Sequence, residues 1–240
     1  MTEVSDWRMS AQLPLFKRMI DTGALERLHG AIEKEITAAI RRIDRAAKSG
    51  NPDYQDVVAD EESNFIEELL GLAFVAMQTY LTTVRTSLDR LSRAYRDLGH
   101  PLTFPSDRRI FDMGEPLRSG SPLTAIRAIY EVANYWKHQD EWDIGEELCG
   151  RRWKPIWKPG KNSERRTIEV IRSLEMTPGS TGNLRSAAEA LDATDYKDLS
   201  ALRSKLRRWT DMLYQRVYSE INGRANDVQG AMIAKVTGLL

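Results

Sequence analysis

Residues 65–98 read FIEELLGLAFVAMQTYLTTVRTSLDRLSRAYRDL, and the spacing within this stretch decides the fold class. Phe65, Leu69, Leu72, Ala76, Tyr80, Val84, Leu88, Leu91, Tyr95 and Leu98 recur at three- and four-residue steps. That repeat gathers side chains on one face of an α-helix. Gly99-His100-Pro101 then stops it, because glycine tolerates the left-handed turn at a helix end and proline cannot continue the ladder.

Upstream, positions 25, 28, 32, 36, 40, 43 and 47 are apolar and predict a second helix over Ala24–Lys48, closed by Gly50-Asn51-Pro52. Residues 51–62 read as an acidic connector. Asp53, Asp56, Asp60, Glu61, Glu62, Glu67 and Glu68 accumulate with no lysine or arginine among them, and the last of these carboxylates suit the first turns of a following helix.

Downstream, residues 101–121 are rich in Pro, Gly, Ser and Asp and read as a connector with one short turn near Arg108–Met113. Ser121-Pro122 predicts the opening of a third helix, with Leu123, Ile126, Ile129, Tyr130, Ala133 and Trp136 as its buried stripe. A short helix is expected over Glu164–Met176, and another where Ser186 and Glu189 have capping-box spacing. The last long helix is expected over Tyr196–Asn222. No alternating β pattern or fixed-period repeat is visible. The expected architecture is one all-α domain over 1–240: a helical bundle of about four long helices with short accessory ones. Residues 1–21 form an N-terminal arm and 150–163 a basic loop.

With 41% apolar and 29% charged residues, the composition is globular. The 35 basic and 35 acidic side chains cancel, so a general polyanion binder has no support from overall charge. Cys149 is the single cysteine, which rules out an intrachain disulfide and any cysteine-rich zinc site. The polar, acidic N-terminus does not resemble a secretion signal, and the apolar run Leu69–Met77 is too short to cross a bilayer. A cytoplasmic protein with no membrane contact is expected.

Arg127, Glu131, Asn134 and His138 follow steps of four, three and four residues and share one polar helix face. The apolar stripe opposite would leave this row at a groove, an interface or the solvent. Along the axis Asn134 and His138 lie roughly 6 Å apart, but Arg127 and His138 roughly 16 Å. The segment Asn134-Tyr-Trp-Lys-His138 resembles the polar-x-x-x-His end of the motif in HEPN domains, α-helical bundles common in toxin, defence and RNA-processing proteins. The family motif begins with an arginine, and this chain has Ala133 just before Asn134. The resemblance implies a metal-independent endoribonuclease or an RNA-binding or structural relative, often dimeric. His138, Asn134, Arg127 and Lys137 are then the candidate catalytic residues, with Arg127 or Lys137 supplying the positive charge. Histidine could exchange the 2′-hydroxyl proton near neutral pH. Equally, His138 could bond a nearby carboxylate and merely end its helix.

Residues 151–166, RRWKPIWKPGKNSERR, hold seven basic side chains against one acidic. Arg151, Arg152, Lys154 and Lys158 could neutralise phosphates while Trp153 and Trp157 stack on unpaired bases. Alternatively, the tryptophans anchor a proline-containing connector. The acidic run 53–68 reads as a solvated face, a counterpart to this loop or a docking surface for a basic partner. No metal or cofactor motif is present. RNA, a second copy of the chain and a protein partner are the expected partners. The alternative to an RNA-directed function is a non-enzymatic helical interaction or regulatory subunit.

Overall fold

The computed structural model describes residues 13–97, 99–103, 105, 107–138, 162–176 and 182–237. After a short helical segment at 13–19, the elements are α1 (Gly23–Ala47), α2 (Pro52–Asp97), a 3₁₀ turn (Arg108–Asp112), α3 (Ala125–His138), α4 (Asn162–Ser173), α5 (Asn183–Ala190) and α6 (Ser200–Thr237). Among the described residues there is no β-strand, only an isolated bridge between Pro116 and Thr124. The expected all-α bundle is therefore the observed fold.

Residues 51–62, expected as a connector, are helical from Pro52 onward. Asn51 explains why: its Oδ1 accepts from the Tyr54 amide at 3.2 Å, and Pro52 sits where its missing N–H costs nothing. Asp53, in the first turn, sits at the positive end of the helix dipole. α1 and α2 thus form an antiparallel hairpin, fastened near its tip by the Arg42–Glu62 ion pair.

Three other helix starts also differ from expectation because side chains outside the local motif supply the caps. α3 opens at Ala125 rather than at Pro122, with the Thr124 hydroxyl accepting from the Arg127 amide at 3.1 Å. Ser121 instead closes a turn by accepting from the Leu123 amide. α5 opens at Asn183, placing Ser186 inside the helix. Its first-turn amides at Leu184 and Arg185 donate to the Glu67 carboxylate of α2, at 2.8 and 3.3 Å. α6 opens at Ser200, where the Leu199 amide donates to Glu33 of α1 at 2.7 Å.

The core faces of α1 and α2 are rotated from the simplest reading. On α1 the buried line is Leu25, His29, Ile32, Ile36 and Ala39, while Leu28 is 47% exposed. On α2 the buried line includes Ile66, Leu70, Phe74, Met77, Leu81 and Leu88, leaving Phe65 and Leu72 at 36% and 51% exposure. Each helix carries more apolar residues than one core face needs, so periodicity alone could not choose among them.

α3 runs through the middle of the bundle. All residues from Ala125 to Ala133 are buried. It lies antiparallel to α2, with Gln78 beside Tyr130 and Asn134 and Gly71 beside Trp136. Gly71 permits this approach: a Cβ there would stand 2.1 Å from Trp136 Cε2.

Candidate functional site

A helix enclosed on all sides must satisfy its polar side chains internally, since burying an unpaired one costs several kcal/mol. The row Arg127, Glu131 and Asn134 does so through a continuous chain of bonds. It does not line a groove or face solvent, as the pattern suggested, because the 3₁₀ turn and α4 cover that side.

Arg127 is 2% exposed. Its Nε and Nη2 donate to Asp112 Oδ1 and Oδ2 at 2.7 and 2.8 Å, a bidentate pair. Nη2 also donates to the Arg108 carbonyl at 2.6 Å, and Nη1 to Glu131 Oε1 at 3.5 Å. One face of the guanidinium lies over the Phe111 ring, 5.5 Å from its centroid. Phe111 in turn stacks on Tyr130 with centroids 4.7 Å apart.

Glu131, 3% exposed, is held from its other side. Oε2 accepts from the Thr167 hydroxyl of α4 at 2.7 Å and from Asn134 Nδ2 at 2.9 Å. Asn134 Oδ1 then accepts from Gln78 Nε2 at 2.6 Å, and the same amide donates to the Tyr130 carbonyl at 3.0 Å. The orientation of both amides follows from the network, since turning Asn134 over would set donor against donor and acceptor against carboxylate. The result is a polar seam linking the 3₁₀ turn, α3, α4 and α2.

The remaining candidates divide by position. His138, the last residue of α3, is half-buried and has an interaction partner. Lys137 beside it is exposed, with partial desolvation holding its ammonium below the ordinary lysine range. Ala133 is fully enclosed, so the position where the HEPN motif has its arginine leaves no room for a guanidinium without repacking. Arg151, Arg152, Trp153, Lys154, Trp157 and Lys158 lie outside the described residues. Arg127 and His138 are therefore not brought together within the chain: one is locked at the 3₁₀ turn, the other sits at the far end of the helix.

Two features escaped the sequence reading. A pocket of about 300 Å³ opens at the N-terminal end of α3, over Ala125, Ile126, Trp209 and Met212, with the Glu115–Arg208 ion pair and Lys205 at its rim. It lies at the opposite end of α3 from His138. His29 is fully buried, and among the described residues neither ring nitrogen has a partner within ordinary hydrogen-bond geometry, the Ala73 backbone being the polar group that approaches it. Burial pulls its pKa down to about 4. Its i, i+4 relation to Leu25 and Glu33 was the only available signal. Among the described residues, no group of three His, Cys, Asp or Glu side chains could hold a metal ion, and no helix is long and apolar enough to cross a membrane.

The chain matches no known protein family, curated protein or solved structure.

Proposed function

We propose that the chain is a non-enzymatic helical interaction protein in which the α3 polar row braces the bundle. The observation carrying this reading is the enclosure of Arg127. A guanidinium that is 2% exposed and already gripped by the Asp112 carboxylate has no open face for a phosphate. Stabilising a developing charge requires a donor aimed at the reacting atoms; the Arg127 donors are aimed at Asp112, Glu131 and a carbonyl. Purified protein incubated with labelled RNA without metal tests this directly. No cleavage is expected. Cleavage that disappears in His138→Ala would overturn the reading.

A second reading keeps the RNA-directed, HEPN-like function, as metal-independent nuclease or as RNA binder. It is favoured by Lys137 and His138 standing at the end of α3, a short way in sequence before the cationic, tryptophan-containing stretch 151–166. On this reading Arg151, Arg152, Lys154 and Lys158 contact phosphate, and a dimer could complete a site that one copy lacks. RNA affinity measured by anisotropy separates the two: the interaction reading expects none of functional strength at physiological salt.

A further inference from the structure

The large apolar residues that α2 leaves exposed lie along one line. Tyr54, Val57, Phe65 and Leu72 are 53%, 56%, 36% and 51% exposed. At 100° per residue they cluster on a single side of the helix, with Glu61 and Glu68 between them. The line runs roughly 27 Å. On the flank next to Val57 stand Asp53 and Asp60, both exposed, while Asp56, also exposed, lies further round the helix. Glu62 and Glu67 on the same helix are occupied by Arg42 and Arg185. In contrast, Asp53, Asp56, Asp60, Glu61 and Glu68 have no cation partner among the described residues, and the sequence holds no lysine or arginine from Ser49 to Val84.

We infer that this face of α2 is a docking surface for a basic amphipathic helix of a protein partner. A row of exposed apolar side chains on a helix marks an interaction site, and a partner helix with apolar residues at three- and four-residue steps would interlock with it. Charge chooses the partner. The carboxylates repel RNA and anionic membranes alike. A second copy paired antiparallel through the same line would set the acidic flank against its own image. Lysines or arginines flanking the apolar face of the partner meet that flank instead and steer the encounter. About 18 partner residues would cover the length from Tyr54 to Leu72.

This inference rests on the interaction reading of the chain, and its test separates the two. The probe is a fluorescein-labelled 18-residue peptide with leucine at three- and four-residue steps and lysine elsewhere, titrated with the full chain and followed by anisotropy. A Glu-for-Lys version and a scrambled version serve as controls. The amphipathic lysine peptide should bind, the Glu version should not, and the scrambled one should bind at least about tenfold more weakly. The variant Tyr54→Ser/Val57→Ser/Leu72→Ser and the variant Asp53→Asn/Asp56→Asn/Asp60→Asn/Glu61→Gln should each weaken binding by about tenfold or more while melting like the parent. Equal binding of the scrambled peptide, or binding unchanged in both variants, overturns the surface. So does a dimer in sedimentation that the serine variant dissolves, which would make a second copy the occupant. RNA cleavage lost in His138→Ala would remove the interaction reading while leaving the peptide result intact.

Discussion

Arg127 and Asp112 face each other through two parallel hydrogen bonds, 2.7 and 2.8 Å long, that fasten the central helix to the 3₁₀ turn before it. The guanidinium is almost wholly enclosed, its side chain 3% exposed, whereas the carboxylate is 50% exposed. The two halves of the pair therefore differ in what their loss would do. Arg127→Lys should destabilise the fold by about 2 kcal/mol or more, because a point charge cannot span both oxygens and the Arg108 carbonyl. Asp112→Asn should cost only about 1 kcal/mol, since water can reach the vacated site. Urea unfolding of both variants checks the order; equal losses would contradict it.

Gly71→Ala should be disproportionately harmful for a change of one methyl group. The new Cβ would collide with the Trp136 indole, and forcing α2 and α3 apart costs about 1–3 kcal/mol. Thermal melts should show a clear drop in Tm, partly recovered when Trp136→Leu is added. A melt unchanged by Gly71→Ala would mean that the two helices do not pack as closely as described.

Stability should fall on mild acidification through His29. Its folded pKa is about 4 against an ordinary 6.5. Between these values the unfolded chain binds a proton that the folded chain refuses, so stability is lost as pH drops through that window and levels off below it. The loss attributable to this group is at most about 3 kcal/mol. Glu33 and Arg203 lie close enough to influence the ring, Glu33 favouring its protonation and Arg203 opposing it. His29→Leu should flatten the unfolding free energy between pH 6.5 and pH 4 relative to the parent; an identical pH profile would exclude His29.

If the RNA-directed reading is correct, Arg151→Ala/Arg152→Ala/Lys154→Ala/Lys158→Ala should weaken RNA binding and make it less salt-dependent by the number of phosphate contacts removed. Filter binding at several salt concentrations measures both quantities. An unaltered slope would take these residues out of the interface.

The helical class was legible because heptad-like spacing survives any choice of core face. Which face is buried was not, as Leu28, Phe65 and Leu72 show: each is in phase with its neighbours yet exposed, while His29 and Ile66 occupy the core. Helix starts were misplaced where the cap comes from afar, as with Glu67 at α5 and Glu33 at α6. The polar row on α3 was visible as a row. Its meaning depended on Asp112 and Thr167, partners distant in sequence that no local pattern reveals.

The most direct test of the bracing role is a double-mutant cycle in urea with Arg127→Met, Glu131→Leu and both together. Arg127→Met leaves the buried Glu131 carboxylate without its cation, and Glu131→Leu leaves the Thr167 hydroxyl and Asn134 amide without their acceptor; each should cost about 3–5 kcal/mol. The double change removes both charges and should cost clearly less than the two losses combined, by at least about 1 kcal/mol. Single variants within about 0.5 kcal/mol of the parent, or fully additive losses, would contradict the claim that these residues hold the bundle together.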